Sequence, residues 1–167
     1  MKVSALYDKP NVNGLDDFIT STREKFGAQM FPINISGLRQ VFKALERSEL
    51  LVFLPDQVPD YGARGFVGTF FGHDAYTSDL VHRVISKYDL EIVFGLVMRD
   101  FSEGRVKYRI CFEKPANEIY SRDVGVHISS LNSTLERLVI KAPEQYQWSY
   151  KRYKRLNKSG KNIYRRQ

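Results

Sequence analysis

The sequence predicts an α/β protein in which a mixed sheet is flanked by helices. Short apolar segments of strand length alternate along the chain with longer segments whose apolar residues recur at helical spacing. One strand-like run, residues 50–54, ends at Pro55, which cannot donate to a sheet ladder. The 167 residues suit one domain, or one large piece of a domain, with a core of its own.

The first part of the chain has the βαβ-like order of a sheet with crossover helices. Two aspartates favour a helix start near residue 15, and Gly27 suits its end. Ser36 occupies an N-cap position ahead of the clearest amphipathic pattern in the sequence. The expected elements are a strand at residues 1–7, a helix at 15–26, a helix that follows Ser36, and a strand at 50–54.

The later elements follow from the same kinds of pattern. Residues 106–112 alternate between apolar and polar side chains, which predicts a strand with one solvated face, paired in a hairpin with the strand before it. Pro143 suits the first turn of a last short helix that carries several aromatic residues. The other expected elements are an apolar segment at 65–71, a helix capped by Thr77 or Ser78, a strand at 91–98 and a helix at 122–140.

The net charge of +7 lies at one end of the chain. Residues 1–140 carry 17 Lys and Arg against 18 Asp and Glu, whereas residues 141–167 carry 9 against 1. Such a basic end suits an anionic partner, a lipid headgroup or a nucleic acid, or else it is a solvated tail. The lone Cys111 excludes an internal disulfide. No apolar run approaches the ~20 residues that span a bilayer, so we expect no membrane span and no signal peptide.

Polar side chains follow the strand predicted at residues 50–54. Asp56 and Gln57 come directly after Pro55, and Arg64 lies in the glycine-containing loop beyond them. Open α/β sheets bind ligands at the carboxyl ends of their strands, so we expect a site for an amphipathic ligand here. The alternative is that Asp56 and Gln57 merely form a turn after a buried strand.

Several familiar catalytic signatures are absent from the sequence. It contains no G-x-S-x-G, no G-x-G-x-x-G and no P-loop lysine motif, which leaves hydrolase, dinucleotide and nucleotide functions without their usual sequence support. Its three histidines and one cysteine are too scattered for a zinc signature. We therefore expect no metal and no other cofactor.

Three stretches carry a resemblance to a known family. The PDQ at residues 55–57, the FFG at 70–72 with Thr77, and above all PEQYQWSYKRYK at 143–154 resemble the C-terminal half of the bacterial lipid A biosynthesis acyltransferases. Those enzymes are lauroyl and myristoyl transferases of the lysophospholipid acyltransferase superfamily. The resemblance covers almost the whole chain. It implies an incomplete glycerolipid-acyltransferase-like domain at residues 1–156, followed by a basic, disordered tail at 157–167.

The resemblance also implies an activity. The family transfers a fatty acyl group from acyl carrier protein to a lipid A precursor, with the enzyme peripheral to the cytoplasmic face of the inner membrane. Its base is a His that an Asp or Glu five positions later orients. The three histidines here, His73, His82 and His127, are followed at that spacing by Ser78, Lys87 and Asn132. We therefore expect no catalytic residue in this chain, and inactivity unless a complementary N-terminal half supplies the base.

Residues for the substrates are implied by position. Lys9 stands in the family's Arg-Pro region, where it keeps the charge but loses the bidentate geometry of Arg. Arg23 matches a basic position near the phosphosugar or the acyl donor, and Asp56 and Gln57 match the family's D-Q pair. With Arg64, these are the expected substrate-binding residues. Lys9 and Arg23 read equally well as solvated surface charges.

The segment EQYQWSYKRYK suits a membrane surface. Trp148 can lie at headgroup level while Lys151, Arg152, Lys154 and Arg155 attract anionic lipid. Alternatively, its tyrosines pack the last helix onto the domain. Two further functions stay open: an anionic-lipid-binding module without catalysis, and a nucleic-acid-binding protein. The second ranks lower because the body of the chain is near neutral and carries no RNA-binding motif.

Overall fold

The computed structural model describes residues 2–10, 12, 14–60, 62–101, 104–155 and 164. The chain divides into two compact units, Met1–Leu54 and Pro55–Gln167. The predicted tail at residues 157–167 lies outside the described residues apart from Tyr164. Among the described residues, no helix has the length and apolar character that crossing a membrane requires.

The first unit is a three-stranded parallel sheet with two helices. The strand order is β2-β1-β3 with parallel pairing, which agrees with the predicted βαβ-like order, although strand β2 was not among the expected elements. The chain runs from β1 to β2 and then back past β1 to β3, which places the carboxyl ends of β1 and β3 side by side where the winding direction changes. Its elements are β1 (Val3–Tyr7), α1 (Leu15–Glu24), β2 (Ala28–Pro32), α2 (Ile35–Glu46) and β3 (Leu50–Val52).

Helix α2 confirms the clearest amphipathic pattern, but its start differs from the prediction. Asn34, not Ser36, is the N-cap, and its side-chain oxygen accepts a hydrogen bond from the Gly37 backbone N at 2.8 Å. Asn and Ser cap about equally well. The position is decided by the tight connection, because β2 ends at Pro32 and leaves room for only one intervening residue before the cap.

The second unit begins with a hairpin that the sequence patterns did not predict. Strand β4 (Gly65–Phe70) pairs antiparallel with β5 (His73–Ser78). The two turn residues, Phe71 and Gly72, have φ values of 47° and 76°, the left-handed pair that a type I′ turn requires. Asn or Gly is usual at the first of these positions, so Phe71 conceals the turn signal.

The helix cap predicted at Thr77 or Ser78 is wrong because both residues belong to β5. Helix α3 (Leu80–Ile85) has Asp79 at its N-cap position, with no capping bond from that side chain. The Ser78 hydroxyl nevertheless accepts a hydrogen bond from the Leu80 backbone N at 3.3 Å.

The predicted hairpin is confirmed, but its exposed face is not the one expected. Strand β6 (Phe94–Asp100) pairs antiparallel with β7 (Lys107–Glu113). Val97, Ile110 and Phe112 lie on the same face and are 56%, 58% and 71% exposed. Both faces of β6 carry apolar residues, and the core of this unit covers only the face that contains Phe94. The described residues therefore form three small sheets instead of the single mixed sheet that was predicted.

Helix α4 (Val124–Lys141) is the centre of the second unit. The Asp123 carboxylate caps it by accepting hydrogen bonds from the next backbone N–H groups of the first turn. One side of α4 packs on β4, where a Cβ added to Gly68 would lie 2.5 Å from Cγ2 of Ile128. Another side packs in the core below β6, which contains Phe94, Ile119, Leu131 and Leu138.

The last predicted helix is wrong. Pro143 opens only a single-turn 3₁₀ helix, Pro143–Gln145, and residues 146–155 form turns. A helix would direct its side chains around one axis, whereas this segment directs its tyrosines and arginines to the loop at residues 55–60 and to the β4–β5 hairpin. We call residues 146–155 the C-terminal segment.

Candidate functional site

The predicted cation at the end of β1 is held by an acidic neighbour. Lys9 Nζ lies 2.8 Å from Asp16 Oδ2, and the Tyr7 hydroxyl donates to Asp16 Oδ1 at 2.9 Å. The bond from Lys9, followed by the one from Tyr7, lowers the pKa of Asp16, and the same carboxylate raises the pKa of Lys9. Lys9 therefore remains charged and exposed at a strand end where open α/β sheets bind ligands.

Arg23 lies in the last turn of α1 and is exposed. A cation at this position is favourable for any helix, because the C-terminus carries the negative end of the macrodipole. Its role toward a substrate stays a prediction. Lys9 and Arg23 belong to the first unit, whereas Asp56, Gln57 and Arg64 belong to the second.

Asp56 and Gln57 lie in an irregular loop, residues 55–60, that begins with a turn. Gln57 is exposed, Asp56 is half-buried and Val58 is buried. The Val58 backbone N donates to the Tyr150 hydroxyl oxygen at 2.7 Å. Burial, and then the charge and hydrogen bond of Asp56, raise the pKa of Tyr146, so this phenol stays protonated beside the carboxylate.

Arg64 contacts a different acid. Its Nε lies 3.4 Å from Asp79 Oδ2 just before α3, and Asp79 also receives the Arg83 guanidinium at 3.1 Å. The Arg64 side chain is exposed, so this pair is of the weak, solvent-screened kind. Its proposed contact with a substrate stays a prediction.

Arg152 does not occupy the exposed position that an interfacial cation needs. It is only 3% exposed, and it donates to the Tyr76 carbonyl at 2.8 Å and to Thr77 Oγ1 at 2.6 Å. Its guanidinium also lies 5.4 Å from the centre of the Phe70 ring. Burial lowers the pKa of Arg152, and in the structure this side chain is an internal tie between the C-terminal segment and β5.

The other residues predicted at the membrane surface are more accessible. Trp148 is 57% exposed and contacts the Tyr146 ring edge-on at 4.9 Å. Lys151 and Lys154 are exposed, whereas Arg155 stacks on Tyr76 at 4.7 Å. A role for these residues at a lipid surface stays a prediction.

The three histidines have surroundings that fit structural positions. His73 is exposed at the start of β5, with its ring 5.7 Å from that of Tyr153. His127 is fully buried, and its Nδ1 donates to the Ile119 carbonyl at 2.5 Å. His82 Nε2 donates to the Arg122 carbonyl at 3.1 Å. In the described part of the chain, no three His, Cys, Asp or Glu side chains are close enough to bind a metal ion together.

Sequence patterns missed the residues that hold the loop at 55–60. Tyr146 and Tyr150 were noted as aromatic residues of a packing helix, not as partners of Asp56 and Val58. No local signal revealed this role, because Tyr146, Tyr150 and Tyr153 recur at the i, i+4, i+7 spacing of one helix face and so favour the helix that the structure lacks.

Comparison with known proteins places this α/β chain in a class of bacterial acyltransferase sequences. The family described as bacterial lipid A biosynthesis acyltransferase matches residues 1–155. The chain is 28% identical over 151 residues to the lipid A biosynthesis palmitoleoyltransferase of Escherichia coli K12, covering 87% of this chain and 46% of that protein. It is 29% identical over 167 residues to the lipid A biosynthesis acyltransferase of Haemophilus influenzae, covering 98% of this chain and 49% of that protein.

A third relative, the lipid A biosynthesis lauroyltransferase of Escherichia coli K12, is 26% identical over 148 residues, which are 87% of this chain and 47% of that protein. The chain belongs to the bacterial lipid A biosynthesis acyltransferase family. It spans about half the length of these curated relatives.

Proposed function

We propose that this chain forms the C-terminal part of an acyltransferase that moves a fatty acyl group from acyl carrier protein, or another acyl thioester, to a lipid A precursor. The observation that supports this proposal is the family match over residues 1–155. The donor, the acceptor and a peripheral position at the cytoplasmic face of the inner membrane come from the same family relationship.

Acyl transfer to a hydroxyl needs a base for the hydroxyl proton and donors for the oxyanion. None of the three histidines is followed by an acid five positions later. We propose that a complementary N-terminal half supplies the base and that this chain alone is inactive. Two observations support this proposal. The chain matches less than half the length of the palmitoleoyltransferase, and the apolar face of the β6–β7 hairpin is exposed, as a surface that packs against further protein would be.

In this proposal the predicted site residues bind substrate. Lys9 and Arg23 attract the phosphates of the acceptor or of the donor, because hydrogen bonds from a cation to a phosphate are charge-assisted. Asp56 and Gln57 orient polar groups of the acceptor, and Arg64 adds a further cation. These residues bind and position the substrates while the complementary half carries the chemistry.

A transfer assay tests this proposal. The purified chain is incubated with lauroyl acyl carrier protein and a lipid A precursor, alone and with the part of the Haemophilus influenzae relative that the match leaves uncovered. We expect no turnover alone, transfer with the added part, and loss of that transfer in Asp56→Asn. Turnover by the chain alone that His73→Ala abolishes would contradict the proposal.

A second candidate function is binding to anionic lipid without catalysis. The observation that favours it is the exposed Trp148 next to the exposed Lys151 and Lys154. Sedimentation with phosphatidylglycerol vesicles should show binding that weakens with salt and with Trp148→Ala. A preference for RNA over these vesicles would instead favour nucleic-acid binding.

A further inference from the structure

The loop at residues 55–60 has no regular secondary structure, so its backbone and its carboxylate need partners from elsewhere. The C-terminal segment supplies three of them at alternate loop positions. The Tyr146 phenol lies beside the Asp56 carboxylate, whose charge adds to burial in raising the pKa of Tyr146. The Tyr150 hydroxyl accepts from Val58 N at 2.7 Å, and Arg155 donates to the Asp60 carbonyl.

The C-terminal segment is itself fixed to the strands. Arg152 donates to the Tyr76 carbonyl and to Thr77 Oγ1, and the Tyr153 hydroxyl donates to the Phe70 carbonyl at 3.0 Å. Thr77 and Arg152 are buried, so these bonds lie where water does not compete for them. A segment anchored in this way can hold a loop in one position.

The Asp56 carboxylate has a directional partner in this arrangement. Burial, and then the charge of Asp56, raise the pKa of Tyr146, so the phenol beside the carboxylate keeps its proton and is able to donate a hydrogen bond to it. A half-buried carboxylate with one fixed donor has fewer orientations than an exposed one. Gln57, the next residue, remains exposed and available to a ligand.

We propose that Tyr146, Tyr150 and Arg155 are positioning residues that hold the Asp56–Gln57 loop in the conformation that binds substrate. The contacts themselves do not depend on a substrate, whereas substrate binding by this loop rests on the function proposed above. In this role the C-terminal segment supports a site instead of forming one. Its side chains lie about ninety residues from the loop in sequence.

Amide hydrogen exchange of the full chain tests the backbone contact. Tyr150→Phe removes the acceptor of the Val58 N–H and keeps the ring, so exchange at Val58 should accelerate by up to about tenfold. Tyr120→Phe is the matched control, because it removes the same kind of bond, from the Ile92 backbone N to the Tyr120 hydroxyl at 2.9 Å, away from the loop and from the C-terminal segment. Unchanged Val58 exchange in Tyr150→Phe, or an equal change in both variants, would overturn the proposal.

The side-chain contact is tested by NMR of the Asp56 carboxyl carbon. Tyr146→Phe should shift this resonance, and Tyr120→Phe, which alters a phenol away from the loop, should leave it in place. If Tyr146→Phe does not fold, Asp56→Asn provides the reciprocal measurement through the ring carbon that bears the Tyr146 hydroxyl. An Asp56 resonance that Tyr146→Phe leaves unchanged would refute the positioning role.

Both measurements are made without substrate. A failed acyl transfer assay would therefore contradict the proposed function and leave this positioning role standing, and the reverse also holds. Reduced transfer in Tyr150→Phe, together with faster amide exchange at Val58, would show that the position of the loop affects acyl transfer.

Discussion

The two hairpins of the second unit differ in what covers them. In β4–β5, Phe70, Ala75 and Thr77 are almost completely buried, and Arg152 and Tyr153 of the C-terminal segment bond to the strands. In β6–β7, the apolar face around Val97, Ile110 and Phe112 is exposed. The Gln145 side chain bonds to the backbone of Arg99 on β6, at 2.8 and 2.9 Å.

This difference shows that apolar strand residues have two meanings in a chain that spans about half the length of its relatives. Around β4–β5 the apolar residues are covered and support a candidate site. Around β6–β7 an equally apolar face lacks a cover among the described residues, which is what a surface for further protein would show. Substitutions at equivalent places in the two hairpins should therefore have very different effects.

The largest expected contrast is between two phenylalanines. Phe70→Ala should lower the free energy of unfolding by about 3–5 kcal/mol, because Phe70 is 1% exposed and packs with Val139 and Tyr146. Phe112→Ala should change it by no more than about 0.5 kcal/mol, because that ring is exposed. Urea unfolding of both variants measures the contrast, and similar losses would show that β6–β7 is covered in solution.

The next contrast is between two glycines. A Cβ at Gly68 would lie 2.5 Å from Ile128 on α4, so Gly68→Ala should destabilise by about 1–3 kcal/mol. A Cβ at Gly95 would lie 3.5 Å from the Phe112 ring, an ordinary contact, so Gly95→Ala should be neutral or stabilise by up to about 1 kcal/mol. Thermal unfolding measures both, and a neutral Gly68→Ala would mean that α4 and β4 are less closely packed than the structure has them.

The fold was predictable where one local pattern decides the structure. The helical spacing of α2, the βαβ order and the β6–β7 hairpin were all predicted correctly. Strand β5 was not, because Phe71 takes a left-handed turn position that sequence rules reserve for Gly or Asn. The Glu136 carboxylate accepts a hydrogen bond from the Phe71 backbone N at 2.6 Å, and that support comes from α4, which no local pattern reveals.

The position of the candidate site was predictable from the sequence, but the side chains that hold its loop were not. Asp56 and Gln57 were found from their place after a strand. Tyr146 and Tyr150 were not connected with them, because hydrogen bonds between distant segments leave no periodic signal in a sequence. Arg152 was placed at a lipid surface because it lies in a basic segment with aromatic residues, whereas its bonds to the Tyr76 carbonyl and to Thr77 allow it to be buried.

The smallest expected contrast concerns pH and the core below β6–β7. His127 is buried beside Ile119, its Nε2 has no hydrogen-bond partner among the described residues, and its ring lies 5.1 Å from that of His82. Burial lowers the pKa of His127 below 6.5, its ordinary value, and His82 adds to this effect. The unfolded chain therefore binds a proton at a pH where the folded chain does not.

The free energy of unfolding should accordingly be unaffected by His127 above pH 6.5 and should fall as the pH decreases below that value. One such group contributes a slope of no more than about 1.4 kcal/mol per pH unit. His127→Gln should weaken this slope, while His73→Gln, at an exposed position on β5, should keep it. The glutamine amide can still donate to the Ile119 carbonyl, so the variant tests the titration and not only the loss of a bond.

Carboxylates act in a lower pH range and can be separated from this effect. Lys141, and then Arg137, lower the pKa of Glu113 on β7 below its ordinary value of 4.5, so its stabilisation is present above that pH and is lost as the pH falls further. A fall in stability that begins near pH 6.5 therefore reports His127, and one that begins only below about pH 4.5 reports Glu113 and similar acids. If His127→Gln leaves the upper range unchanged, the imidazole is accessible to protons and the core below β6–β7 is more open than the core below β4–β5.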